Sequence, residues 1–226
     1  NYVGLDLGRS YSTCVIKSDG GINCWGFNNQ DLGSIDADNN ISSAMNAIDI
    51  YFVSNVNKIS KGDNHTCVLL SNDKVKCFGL NGFGQIGQGL IGSYLTLATM
   101  PIDSINLDFG LATNSSPKIP KKIVSGRNHS CVLTDDHKVS CWGDNGYFQL
   151  GKLITDSDLS TCEATNSGFN QFVSCSTNPV EVPDLENVVD IEAGGNYTCA
   201  IMSNTKVKCW GENFYGQLGI GDQTTS

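Results

Sequence analysis

Short runs of alternating apolar and polar residues recur along this chain, and they come in pairs. Val15-Ile16 and Ile22, Val68-Leu69 and Val75, Val132-Leu133 and Val139, and Ala200-Ile201 and Val207 each flank a short stretch of small, polar or charged residues. Period-two runs bounded by such residues predict β-hairpins, folded about Asp19, Asn72, Asp136 and Asn204. An apolar run and a glycine turn precede the hairpin, as in Ile123-Val-Ser-Gly126 and Val188-Val-Asp-Ile-Glu-Ala-Gly-Gly195. No helical period competes, so the pattern predicts an all-β chain of units with three to four short strands.

The units repeat. Their first cysteines, Cys14, Cys67, Cys131 and Cys199, recur after 53, 64 and 68 residues, the period of propeller blades rather than of helical solenoids. The expected repeat units are residues 1–33, 50–89, 119–151 and 186–221. Insertions at 34–57, 89–122 and 152–183 join one unit to the next.

Within each unit two cysteines stand ten positions apart: Cys14 and Cys24, Cys67 and Cys77, Cys131 and Cys141, Cys199 and Cys209. Folding about the four midpoints sets the members of each pair directly across an antiparallel ladder, at the separation of opposed side chains. A non-hydrogen-bonded pair is the better seat for a disulfide there. Structural zinc sites bring cysteines from tight turns with two to four residues between them, so nine intervening residues argue against metal. Cys162 and Cys175 fall inside the third insertion and predict a fifth bridge. Persistent disulfides place a protein in an oxidising compartment, so the expected location is extracellular or at the cell surface.

After each second cysteine comes an aromatic residue and a glycine-rich stretch: Trp25 to Gly33, Phe78 to Gly87, Trp142 to Gly151 and Trp210 to Gly219. Gly126-Arg-Asn-His-Ser-Cys131-Val-Leu133 together with Cys209-Trp-Gly-Glu-Asn-Phe-Tyr-Gly-Gln-Leu-Gly219 resembles the regulator of chromosome condensation repeat. The first unit departs from that pattern, with Tyr11 in the place of His and Asp31 interrupting the terminal motif. The resemblance implies a β-propeller of four-stranded antiparallel blades, commonly seven of them. Four repeats therefore imply part of a larger ring, completed by further blades or by a partner. Asn1 with no basic and apolar leader behind it predicts a processed chain or a piece of a longer one.

A net charge of −9 and only 14 Lys and Arg argue against a nucleic-acid or anionic-membrane surface. No apolar run is long enough to span a bilayer. The search for catalytic groups is short, because the three histidines are His65, His129 and His137. The first two share one repeat position with Tyr11 and Tyr197, and a place that accepts either ring predicts packing or a hydrogen bond. His137 lies in a predicted turn and is expected in solvent. No nucleophile elbow, phosphate loop or metalloprotease helix is present, so no enzyme and no cofactor are expected. Trp25, Trp142 and Trp210 face opposite to the cysteines along a strand and are expected to fill the space between blades.

Five Asn-x-Ser/Thr sequons, at Asn40, Asn64, Asn114, Asn128 and Asn196, are glycosylation acceptors if the source glycosylates. Binding is expected on the insertions, since loops on a rigid frame carry recognition. Tyr94, Leu95 and Leu97 are the candidate partner contacts, unless that loop packs on its own propeller. The functional expectation is a secreted or surface-exposed scaffold for protein partners, among them copies of itself or other blades. An inhibitor of a secreted enzyme and a guanine-nucleotide exchange factor are the alternatives that the resemblance implies.

Overall fold

The computed structural model of the chain describes residues 1–7, 12–27, 40–41, 48–50, 53–89, 118–166 and 169–225. Among these residues four antiparallel sheets follow one another, one per repeat. The first is β1 (Tyr2–Leu7), β2 (Ser12–Lys17) and β3 (Ile22–Phe27), with β4 (Asn40–Ile41) and β5 (Ile48–Asp49) both paired to β3 as an interrupted outer strand. The second is β6 (Val56–Lys61), β7 (His65–Leu70) and β8 (Val75–Gly79). In the third, β9 (Pro120–Ser125), β10 (His129–Thr134) and β11 (Val139–Asp144) are joined by β12 (Ser160–Asn166) and the long β13 (Phe169–Glu181). The fourth is β14 (Val188–Ala193), β15 (Tyr197–Met202) and β16 (Val207–Gly211). These are propeller blades, and their first strands β1, β6, β9 and β14 lie side by side in that order.

The hairpins form where the sequence places them. Cys14 pairs with Cys24, Cys67 with Cys77, Cys131 with Cys141 and Cys199 with Cys209. Their Cα atoms stand 4.0 to 4.2 Å apart, the spacing of non-hydrogen-bonded positions, and all four pairs are disulfide-bonded. Each turn closes the same way, with the third turn residue in the left-handed region: Gly20 (φ 81), Asp73 (φ 61), His137 (φ 62) and Thr205 (φ 67). Its N–H donates three residues back, as His137 does to Thr134 at 3.0 Å and Thr205 to Met202 at 2.9 Å. This is a type I turn followed by a bulge, the usual three-residue hairpin loop. A second bulge recurs in every first strand, at Val3, Asn57, Lys121 and Val189, where one residue is skipped in the pairing with the next strand.

Residues 152–183 are more than a connecting insertion. The second half of β13 pairs with β11, at Cys141 with Val180 and Asp144 with Cys175, and so supplies the outer strand of blade 3. Its first half turns back on β12 as an extra hairpin. Cys162 and Cys175 are bonded, but not as opposed residues: Cys162 faces Val173 and Cys175 faces Ser160, so the bridge runs diagonally with Cα atoms 5.8 Å apart. It ties the extra hairpin to the blade.

The core is shared between neighbours. Leu69, Val75 and Ile86 of blade 2 pack with Ile123, Val132 and Trp142 of blade 3. Leu133, Val139 and Leu150 of blade 3 pack with Ile191, Ala200 and Trp210 of blade 4, and Ile16 and Ile22 of blade 1 pack with Val68 and Phe78 of blade 2. The half-cystines therefore face the following blade and the aromatic residue faces the preceding one. This is the alternation expected along a strand.

Candidate functional site

The repeat motif builds a clamp between blades. In the loop after blade 2, Asn81 Oδ1 accepts the Ile86 N–H at 3.1 Å and Gln85 Oε1 accepts the Phe83 N–H at 2.8 Å. Asn145 and Gln149 repeat this after blade 3, accepting from Leu150 and Tyr147, and Asn213 and Gln217 do so after blade 4. With its side chain holding the loop, the glutamine turns its carbonyl to the next blade. Gln85 O accepts the Trp142 indole N–H at 2.9 Å and Gln149 O accepts that of Trp210 at 2.9 Å. Glycine is required beside the indole: a Cβ on Gly87 would stand 2.8 Å from Trp142 Nε1.

A second contact lies nearer the first strands. His65 Nε2 is 2.8 Å from Ser130 Oγ, and His129 Nε2 is 2.9 Å from Thr198 Oγ1. The same hydroxyls donate to Gln85 O and Gln149 O. Both rings are fully buried, so they bind one blade to the next and reach no solvent-borne substrate. His137 is exposed in its turn and also holds the next blade: its Nδ1 is 3.0 Å from Val188 O, and its own carbonyl accepts the Val188 N–H, so the turn of blade 3 grips the start of blade 4.

Burial, reinforced by the nearby His129 and Lys61, pushes the His65 imidazole down to about 3. An unfolded histidine takes a proton near 6.5, whereas the folded one stays neutral. Stability should thus be whole above about 6.5 and fall as pH drops from there towards 3, by about 2 kcal/mol at about pH 5 from this group alone. Urea unfolding between neutral and mildly acidic pH checks this, with His65→Gln as the control. An equal acid loss in both chains would show that His65 is not its source.

The recurrent sequons receive a structural explanation. Thr66, Ser130 and Thr198, their third residues, are buried, and Ser130 and Thr198 make the hydroxyl contacts between blades. Asn196 is 5% exposed and its Nδ2 donates to Glu212 at 2.9 Å. Asn64 and Asn128 are half-buried. Asn40 pairs with Phe27 through the backbone. Asn114, Tyr94, Leu95 and Leu97 lie outside the described residues.

Charged pairs lie along the first strands. Lys122 of β9 binds Asp190, at 2.8 Å, and Glu192 of β14, Arg127 Nε meets Asp63 at 3.1 Å, and the Asp6 carboxylate accepts the Lys61 N–H at 3.0 Å. Burial raises the Asp6 carboxyl above its ordinary range. Asp144, also raised by burial, accepts the Gly146 N–H at 2.8 Å and shapes the loop after blade 3. Among the described residues no group of three His, Cys, Asp or Glu could hold a metal ion, and no helix is long and apolar enough to cross a membrane.

Comparison with known proteins agrees with this geometry. Two family models described as "Regulator of chromosome condensation (RCC1) repeat" match, one over residues 56–85, 121–149 and 188–217 and the other over 136–201. The chain is similar to the mouse X-linked retinitis pigmentosa GTPase regulator, 29% identical over 74% of this chain and 14% of that protein. It is also similar to the Ultraviolet-B receptor UVR8 of Arabidopsis thaliana, 27% identical over 73% of this chain and 31% of the receptor. The whole chain superposes on yeast RCC1 (Prp20) from its complex with Kap60, with a TM-score of 0.79 at 20% identity, covering 47% of that chain. It thus spans about half the length of that solved relative and less than a third of the two curated ones.

Proposed function

We propose that this chain, which belongs to the regulator of chromosome condensation (RCC1) repeat family, is a disulfide-fastened propeller scaffold for protein partners, working outside the cell or at its surface. Disulfides carry the reading: five of them take up all ten cysteines, and such bonds persist in oxidising compartments. Repeat residues are committed to the blade junctions, which leaves recognition to the insertions, with Tyr94, Leu95 and Leu97 as contacts, and to the exposed rims. The named relatives are regulators and receptors, which supports protein binding as the general role. Alkylating the native material at harvest tests the compartment. All ten cysteines should resist labelling until reduction, and a population with free thiols would overturn it.

A second reading is favoured by the relative named as a GTPase regulator. Under it, the chain would speed nucleotide release from a small GTPase. The scaffold reading expects no change in that rate with any GTPase of the source organism, and a clear acceleration would replace it.

A further inference from the structure

We propose that the cavity at the hairpin turn of blade 1, where it meets the segment leading into blade 2, is a binding site for a primary alkylammonium group. Such a group ends a lysine side chain or a small amine. The cavity measures about 370 Å³. Among the described residues Ile22, Ile50 and Val53 form its buried floor, with Lys17, Asp19 and Ser54 at the rim. Its volume falls in the range of ligand cavities, roughly 300 to 1,000 Å³.

The corresponding junction of blades 3 and 4 shows what fills such a place. The Ile50 N–H donates to Ile22 O at 3.0 Å as that of Val182 does to Val139 O at 2.9 Å, and Val56 donates to Gly20 O as Val188 does to His137 O. The two segments therefore run in one register, with Val53 in the place of Leu185. At the blade 3 junction a lysine spans the equivalent floor: Lys138 Nζ donates to Leu185 O at 3.3 Å and lies 3.8 Å from Glu181. Lysine recurs three residues before the second cysteine as Lys74 and Lys206, but blade 1 has Gly21 there. Blade 1 thus keeps the floor and lacks the cation that crosses it. The Val53 carbonyl accepts no hydrogen bond from a described residue. An alkylammonium entering over Gly21 supplies both lost parts, since its stem covers the apolar floor and its N–H groups donate to that carbonyl. Lys17 Nζ stands 3.8 Å from Asp19 Oδ2, and the incoming ammonium competes with it for the carboxylate. A surface pair of that kind is weak enough to yield.

The inference is independent of the scaffold reading, because small probes test it without any partner or compartment. In an NMR titration of the oxidised chain, butylammonium should saturate the site and shift the Gly21 amide and the Ile50 and Val53 methyl signals. Pentanoate, with the same stem and the opposite charge, should not. Gly21→Lys should abolish the binding and raise the urea midpoint, because the new side chain fills the cavity from within. A Cβ on Gly21 meets Lys17 Cε at 2.6 Å, the far end of a flexible side chain that can swing aside. Asp19→Asn should weaken butylammonium about two- to fivefold, the range of an exposed ion pair. Binding of Nα-acetyl-lysine methylamide as tight as that of butylammonium assigns the site to a lysine of a protein partner, and binding of the free amine alone assigns it to a small amine. The proposal is overturned if butylammonium does not saturate, if pentanoate binds as well, or if Gly21→Lys, with its disulfides mapped as native, still binds.

Discussion

Refolding the chain with its cysteines held reduced should fail to restore cooperative unfolding, while the oxidised chain refolds. Each hairpin bridge closes a ring of about 11 residues, for which loop-closure entropy gives about 3 kcal/mol. Five bridges together are on the order of 14 kcal/mol, close to the about 5 to 15 kcal/mol that separates folded from unfolded domains. Most of this acts on the unfolded chain, which gains freedom when the bridges open. Every half-cystine except Cys199 and Cys209, the two halves of the blade 4 bridge, is buried, so reductant added to the native protein should open the other four bridges slowly, limited by opening of the blades. The measurement is urea unfolding after dilution from denaturant with and without reductant. A reduced chain that unfolds cooperatively at nearly the same urea concentration as the oxidised one would show that apolar junctions alone hold the blades.

Trp142→Ala should be the most damaging single truncation at a junction, costing about 3 to 5 kcal/mol. The indole is fully buried between blades 2 and 3, lies against Gly87 and donates to Gln85 O. Its removal leaves a cavity in the cluster that Val75, Ile86, Ile123 and Val132 share. It also strips the carbonyl of its indole donor. Trp142→Phe separates the two effects: the ring remains, as Phe78 does at the same place in blade 2, and the loss should be about 1 to 3 kcal/mol for the missing donor. Equal losses in the two variants would mean that the hydrogen bond, rather than the packed volume, dominates.

Half of the clamp is legible in the sequence. The tryptophans fall one residue after a cysteine, which puts them on the opposite face of the strand, and Gly-Gln-Leu-Gly marks a turn. That Gln85 and Gln149 offer their carbonyls, rather than their amides, to the indole is not legible. It depends on Asn81 and Asn145 holding each loop, which nothing in a linear spacing requires. The diagonal bridge of Cys162 and Cys175 shows the same limit. Thirteen residues allow the bond, but not the offset register on β13 that ties the extra hairpin to blade 3.

The sequence by itself determined the hairpins, their turn positions and which cysteines oppose each other, because strand alternation and turn closure act over about ten residues and leave a periodic trace. The tertiary structure alone decided which partners the hydroxyls and histidines meet. Ser130 and Thr198 meet rings 65 and 69 residues earlier in the chain, and the Asn196 amide finds its acceptor in Glu212, on the far side of the blade 4 hairpin. Contacts of that span depend on how blades stack. Stacking is driven by apolar area shared between sheets, a non-directional force that carries no fixed spacing along the chain.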